Sequence, residues 1–157
     1  MPAFETTRPV DFTPTQMFDL VADVERYPQF LPLCEGIRVI SREQDGPNTI
    51  VVAAMDVGYG AIRETFTSRV TLDRPKLLVR ADLVEGPFKH LENRWSFAET
   101  ATGCDVRFAI SYEFKSFMLQ MLVGGLFDQA FRKFTEAFEI RAGQVYGAPS
   151  KIVPPSA

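Results

Sequence analysis

The sequence predicts an α+β fold: a seven-stranded antiparallel sheet, two short helices after the first strand, and one long helix at the C-terminal end. Three observations carry that reading. Apolar and polar residues alternate from Ile37 to Phe114, the period of strands with one solvated face. Turn residues interrupt the alternation at Asp45-Gly46-Pro47-Asn48, Gly58-Tyr59-Gly60, Asp73-Arg74-Pro75, Glu85-Gly86-Pro87 and Thr102-Gly103, all at hairpin spacing. Beyond Ser116 the period becomes helical, with Phe127, Phe131, Phe134 and Phe138 recurring at spacings of four, three and four.

A leading strand is predicted near Phe4 to Val10. Thr13-Pro14-Thr15-Gln16 then starts a helix, because Thr13 can cap, Pro14 suits the first helical position and Gln16 completes a capping box. Met17, Phe18, Leu20 and Val21 give that helix its apolar side. Pro28 and Pro32 break up the next segment, which Tyr27, Phe30, Leu31 and Leu33 make strongly apolar. Such a segment either packs over a core or closes the mouth of a cavity.

In the strand from Ala61 to Asp73, Ile62, Glu64, Phe66, Ser68, Val70 and Leu72 share one face. Leu77, Val79, Ala81 and Leu83 continue that face, followed by Leu91, Asn93, Trp95 and Phe97. Cys104, Val106, Phe108, Ile110, Tyr112 and Phe114 close the series. The final helix is predicted from about Ser116 to Val145, with Asp128–Arg132 and Arg132–Glu136 as ion pairs on its wet side. Its first turns (Phe117, Met118, Leu119, Met121, Leu122, Val123) are apolar nearly all round and precede a weak point at Gly124-Gly125. They cover something apolar, touch a membrane or partner, or pack in the core.

Composition narrows the function. The 157 residues suit one domain, and 46% hydrophobic with 24% charged residues is a globular mix that excludes disordered and collagen-like classes. A net charge of −3, with basic and acidic residues mixed on the outward strand faces, gives no phosphate-tracking stripe and argues against DNA as partner. Residues 1–147 are expected to form the domain and the Pro-rich 148–157 a flexible tail. The N-terminal residues resemble neither a signal nor a transit peptide, and no apolar run reaches the ~18 residues of a membrane span. Cys34 and Cys104 fit no metal or disulfide pattern and read as reduced thiols of a cytoplasmic protein. His90 has an outward phase and reads as solvated. No phosphate-binding loop, dinucleotide fingerprint, hydrolase elbow or zinc-protease motif is present, so no catalytic residue, metal site or required cofactor is assigned.

The anomalies are polar residues in inward phase: Glu64, Ser68, Asn93 and Tyr112. In a closed core each needs a partner, and an ionised Glu64 is costly to bury. A cavity with a few polar anchors in an apolar wall is the other solution. The predicted lining adds Phe66, Trp95 and Phe114 from the strands and Phe127, Phe131 and Phe134 from the helix. Tyr27, Phe30, Leu31 and Pro32 with Phe117, Leu119 and Leu122 form the predicted gate.

Val21-Ala22-Asp23-Val24-Glu25-Arg26-Tyr27-Pro28-Gln29-Phe30-Leu31-Pro32 resembles the segment typical of coenzyme Q-binding proteins in the START-like, polyketide-cyclase-related superfamily. Gly86-Pro87-Phe88-Lys89-His90-Leu91 with Trp95, the stretch from Tyr112 to Ser116, and Phe138-Glu139-Ile140-Arg141-Ala142 are similar further along. The resemblance implies a helix-grip fold with a hydrophobic tunnel between sheet and C-terminal helix. It also implies binding of ubiquinone or a related polyprenyl lipid in support of respiration, by a carrier rather than an enzyme. Bacterial members of the same family act as toxins that block ribosomal subunit association, which makes the ribosome an alternative partner. A cyclase-like enzyme using Glu64 and Tyr112 as acid and base is a third reading. Unlike the mitochondrial members, the chain shows no leading transit peptide, so a bacterial protein is expected, cytoplasmic or peripheral to the inner membrane with transient membrane contact.

Overall fold

Seven antiparallel strands form one sheet in the spatial order β1-β7-β6-β5-β4-β3-β2, so the first strand closes against the last. The computed structural model describes residues 2–147; the tail expected at 148–157 lies outside the described residues. The strands are β1 (Ala3–Val10), β2 (Cys34–Asp45), β3 (Asn48–Tyr59), β4 (Ile62–Asp73), β5 (Leu78–Glu85), β6 (Phe88–Glu99) and β7 (Cys104–Phe114). Each turn anticipated from sequence is a turn here, with Gly46 and Gly60 at φ near +60°, a conformation that costs glycine little.

Helix α1 (Pro14–Ala22) starts with the anticipated capping box: Gln16 N–H donates to Thr13 Oγ1 and Thr13 N–H to Gln16 Oε1. Met17, Phe18 and Val21 are wholly buried, and Phe18 meets Phe97 edge to face. A 3₁₀ segment (Val24–Gln29) follows, then a short connection to β2 in which Leu33 adopts φ +68°.

The sheet's inner face is read off its register. Phe4, Ile110, Asn93, Ala81, Val70 and Val51 stand in one cross-strand row. Thr6, Phe108, Trp95, Val79, Leu72 and Thr49 form the next. Between Thr67↔Glu85 and Ser68↔Leu83 the register slips, making Val84 an extra residue in β5 and bending the sheet there.

The C-terminal helix is not continuous. Helix α2 (Phe117–Arg132) and helix α3 (Phe134–Tyr146) are separated at Lys133, whose N–H turns back to the Ala130 carbonyl. The Gly124-Gly125 pair, expected to be the weak point, lies inside α2. The break also removes one anticipated ion pair. Arg132 bonds Asp128 at 2.9 Å and lies over the Phe4 ring at 4.4 Å, and it makes no ion pair with Glu136. Phe138 on α3 is wholly buried against Trp95, Tyr27 and Phe30, so a bend lets the second half of the Phe stripe follow the curved sheet.

Candidate functional site

Between the inner face of the sheet and α2–α3 lies a cavity of about 100 Å³. Strands β3 to β7 supply its roof, including Val57, Val70, Val79, Leu91 and Ile110. Phe127, Ala130, Phe131, Phe134 and Phe138 supply the helical floor, and Tyr27, Leu31, Pro32 and Leu33 close one side. Among the described residues no charged side chain lines it. Small side chains at Ala53 and Ala81 on the strands leave room that larger residues would fill. These aliphatic positions were readable only as core, because a cavity wall and a packed core share one strand pattern.

Of the residues anticipated from sequence, Phe66, Ser68, Asn93, Trp95, Phe127, Phe131 and Phe134 line the cavity. Glu64, Tyr112 and Phe114 do not. Glu64 keeps its inward phase opposite Val57, but lies beyond Phe66 at the partly exposed end of β4. Tyr112 is buried between Phe88, Phe114 and Phe131, a wedge that holds the sheet to α2. Burial raises the Tyr112 phenol pKa; Asp128 adds to the rise and Arg132 opposes it. Phe114 stacks on Phe88 and touches Phe127, behind the wall. Glu64 and Tyr112 sit on β4 and β7 with two strands between them, so the fold does not pair them as acid and base.

The anticipated gate is split. Tyr27, Leu31 and Pro32 line the cavity, whereas Phe30 backs them against Phe138. Phe117 and Leu122 point to solvent, 79% and 65% exposed, and Leu119 is partly buried against the core away from the cavity. With Met118 and Met121 they expose an apolar stripe on the first turns of α2.

The polar chemistry is sparse. The Trp95 indole N–H donates to Asn93 Oδ1 at 2.8 Å, and Asn93 Nδ2 donates to the Ala109 carbonyl at 3.0 Å. The Ser68 hydroxyl opens onto the cavity and makes no hydrogen bond with a described residue. Tyr27 donates its hydroxyl to the Val21 carbonyl, and burial pushes its pKa far above the ordinary phenol value. Elsewhere, His90 is half-buried and shares a 2.8 Å hydrogen bond with Ser111 Oγ, rather than standing free in solvent. Cys34 and Cys104 are buried, and burial pushes each thiol up to about 11. Among the described residues no helix is long and apolar enough to cross a membrane, and no His, Cys, Asp and Glu cluster could hold a metal.

Residues 10–139 match the family described as polyketide cyclase / dehydrase and lipid transport. The chain is 38% identical over 139 residues to the ribosome association toxin RatA of Vibrio cholerae, covering 88% of this chain and 93% of that one. It is 32% identical over 149 residues to the mitochondrial coenzyme Q-binding protein COQ10 homolog B of Xenopus laevis, covering 92% of this chain and 59% of that one. A START superfamily protein from Mycobacterium smegmatis superposes with a TM-score of 0.75 at 22% identity, covering 91% of this chain and 98% of that one. That likeness establishes the helix-grip, START-like fold.

Proposed function

Because the chain belongs to the polyketide cyclase / dehydrase and lipid transport family, we propose that it binds an apolar small molecule between its sheet and α2–α3, acting as a carrier and not as an enzyme. The observation that carries the reading is the cavity itself: aromatic and aliphatic walls, no charged lining group among the described residues, and two polar side chains set into the roof. The ligand is a polyprenyl quinone, ubiquinone or a relative of it. The similarity to a coenzyme Q-binding protein supports this choice. So does the chemistry, since each buried tail CH₂ contributes about 0.8 kcal/mol and one five-carbon isoprene unit about 4 kcal/mol.

At about 100 Å³ the cavity is smaller than the ~300–1,000 Å³ of ordinary ligand sites, so binding requires it to open. In this reading the Tyr27–Leu33 side yields. The protein works in the cytoplasm, and the exposed Phe117, Met118, Met121 and Leu122 touch the inner membrane transiently when ligand is exchanged. Organic extraction of the purified protein followed by mass spectrometry tests the assignment. A polyprenyl quinone is expected in the extract, or uptake of added quinone with quenching of Trp95. A folded protein that does neither refutes it.

The similarity to a ribosome association toxin favours a second reading, inhibition of ribosomal subunit joining. Overexpression followed by a ribosome profile separates the two. Loss of joined ribosomes caused by a chain that carries no quinone reverses the ranking.

A further inference from the structure

Trp95, Asn93 and Ser68 together constrain what the ligand looks like, given the carrier function proposed above. An indole nitrogen can only donate, so the amide oxygen of Asn93 must face Trp95. The amide nitrogen must then face the other way, where it meets the Ala109 carbonyl. Flipping the amide would set donor against donor at Trp95 and acceptor against acceptor at Ala109. Asn93 is therefore held in one orientation, with one N–H not used by either bond.

Ser68 is the second fixed point. It is 9% exposed, its hydroxyl is unengaged by any described residue, and it stands where the extra residue Val84 bends β5 beside it. Asn93 and Ser68 belong to different rows of the inner face. Val70 is directly in line with Asn93 through Ala81, and Ser68 lies two residues further along β4. Two strand spacings and two residues put their backbones roughly 12 Å apart. They cannot bond each other, yet both open onto the same small cavity.

We infer that Ser68 and Asn93 are the two recognition groups of the site, each donating to one of two oxygen acceptors on opposite edges of a planar, otherwise apolar ring lying between them. The class so described is a cyclic diketone, a para-quinone being its plainest member. The rest of the wall offers aromatic and aliphatic surface to the ring and tail. A plain prenyl hydrocarbon would leave a buried amide N–H and a hydroxyl without partners, which is the basis of discrimination.

The test uses two probes with the same short prenyl tail, one ending in a para-benzoquinone ring and the other in a benzene ring without oxygens. Calorimetry on the full chain is expected to show the quinone probe binding about tenfold tighter or better. Asn93→Leu and Ser68→Ala should each reduce that preference several-fold, with the hydrocarbon probe bound at least as tightly as by wild type because no buried donor is then left unpaired. If wild-type protein binds both probes equally, or if both variants keep the wild-type preference, the inference fails and the carrier reading survives. If wild-type protein binds neither probe, the carrier reading fails and takes the inference with it. Should Asn93→Leu not fold, Ser68→Ala and the wild-type side-chain amide resonances of Asn93 decide the matter. One Asn93 amide proton is expected to move downfield with the quinone probe and not with the hydrocarbon. Its failure to move overturns the assignment.

Discussion

The Tyr27 ring meets Phe138 edge to face with centroids 5.5 Å apart, and its hydroxyl is tied to the Val21 carbonyl at the end of α1. One side chain thus joins three elements around the cavity: the 3₁₀ segment, α1 and α3. Tyr27→Phe keeps the ring contact and removes the tether. It should cost about 0.5–1.5 kcal/mol in urea unfolding and speed ligand exchange with little change in equilibrium affinity. Unchanged exchange kinetics would show that the segment does not limit entry.

The two glycines of α2 are not there for close packing. A Cβ at Gly125 meets nothing within 4 Å, and the atoms nearest one at Gly124 are the side-chain end of Gln120, whose Nε2 must swing aside. Gly124→Ala with Gly125→Ala should therefore raise stability, by up to about 1 kcal/mol per site from helix propensity. If flexure of α2 helps open the cavity, the same variant exchanges ligand more slowly. A loss of stability in thermal unfolding would contradict the steric argument.

Gly86 behaves oppositely. Its φ of +151° suits glycine, and an added Cβ would lie 2.5 Å from Phe66 Cβ. Because Phe66 lines the cavity and packs on Phe88, Gly86→Ala should displace that wall. A cost of about 1–3 kcal/mol is expected, together with weaker ligand binding in the surviving folded fraction. Wild-type stability and binding in this variant would mean that the turn relaxes away from Phe66.

Both thiols titrate far later in the folded chain than free in water. Burial is the main cause at each site, moving Cys34 and Cys104 from 9.0 to about 11. The sign follows from linkage. Between pH 9 and 11 unfolded thiols lose protons that folded ones keep, so the folded state loses stability as pH rises through that window. Below pH 9 neither thiol makes stability pH-dependent. Urea unfolding from pH 8 to 10.5 should fall less steeply for Cys34→Ala with Cys104→Ala than for wild type, and the native thiols should resist alkylation at pH 8. Parallel pH profiles for the two proteins would rule out the thiols as the cause.

Much of this architecture is legible in the residues. Period-two alternation and five turns place the strands, and Thr13-Pro14-Thr15-Gln16 places the start of α1, because these signals are local. The break at Lys133 is not local. Lysine is a sound helix former, and the Phe127–Phe138 spacing is satisfied by one straight helix; only the curvature of the sheet demands the bend. The same limit applies to the site. Inward phase selects Ser68 and Asn93, which line the cavity, together with Glu64 and Tyr112, which do not. Phase says which face a side chain takes, whereas position along the strand and neighbouring helices decide whether it reaches the void. Glu64 stands too near the strand end, and Tyr112 is covered by α2.

The pairing of β1 with β7, with Ala3 opposite Ser111, sets the order of events during synthesis. β1 leaves the ribosome well before its partner β7, and at 5–20 residues per second the wait is roughly 5–20 s. Through that interval the apolar side of α1 lacks the β6 surface on which Phe18 finally rests against Phe97. The nascent chain consequently spends most of its translation time as a growing β-meander with an unsatisfied edge, the state most exposed to aggregation and chaperone capture. Synthesis of β7, rather than growth of any earlier hairpin, is the step that gives β1 its partner.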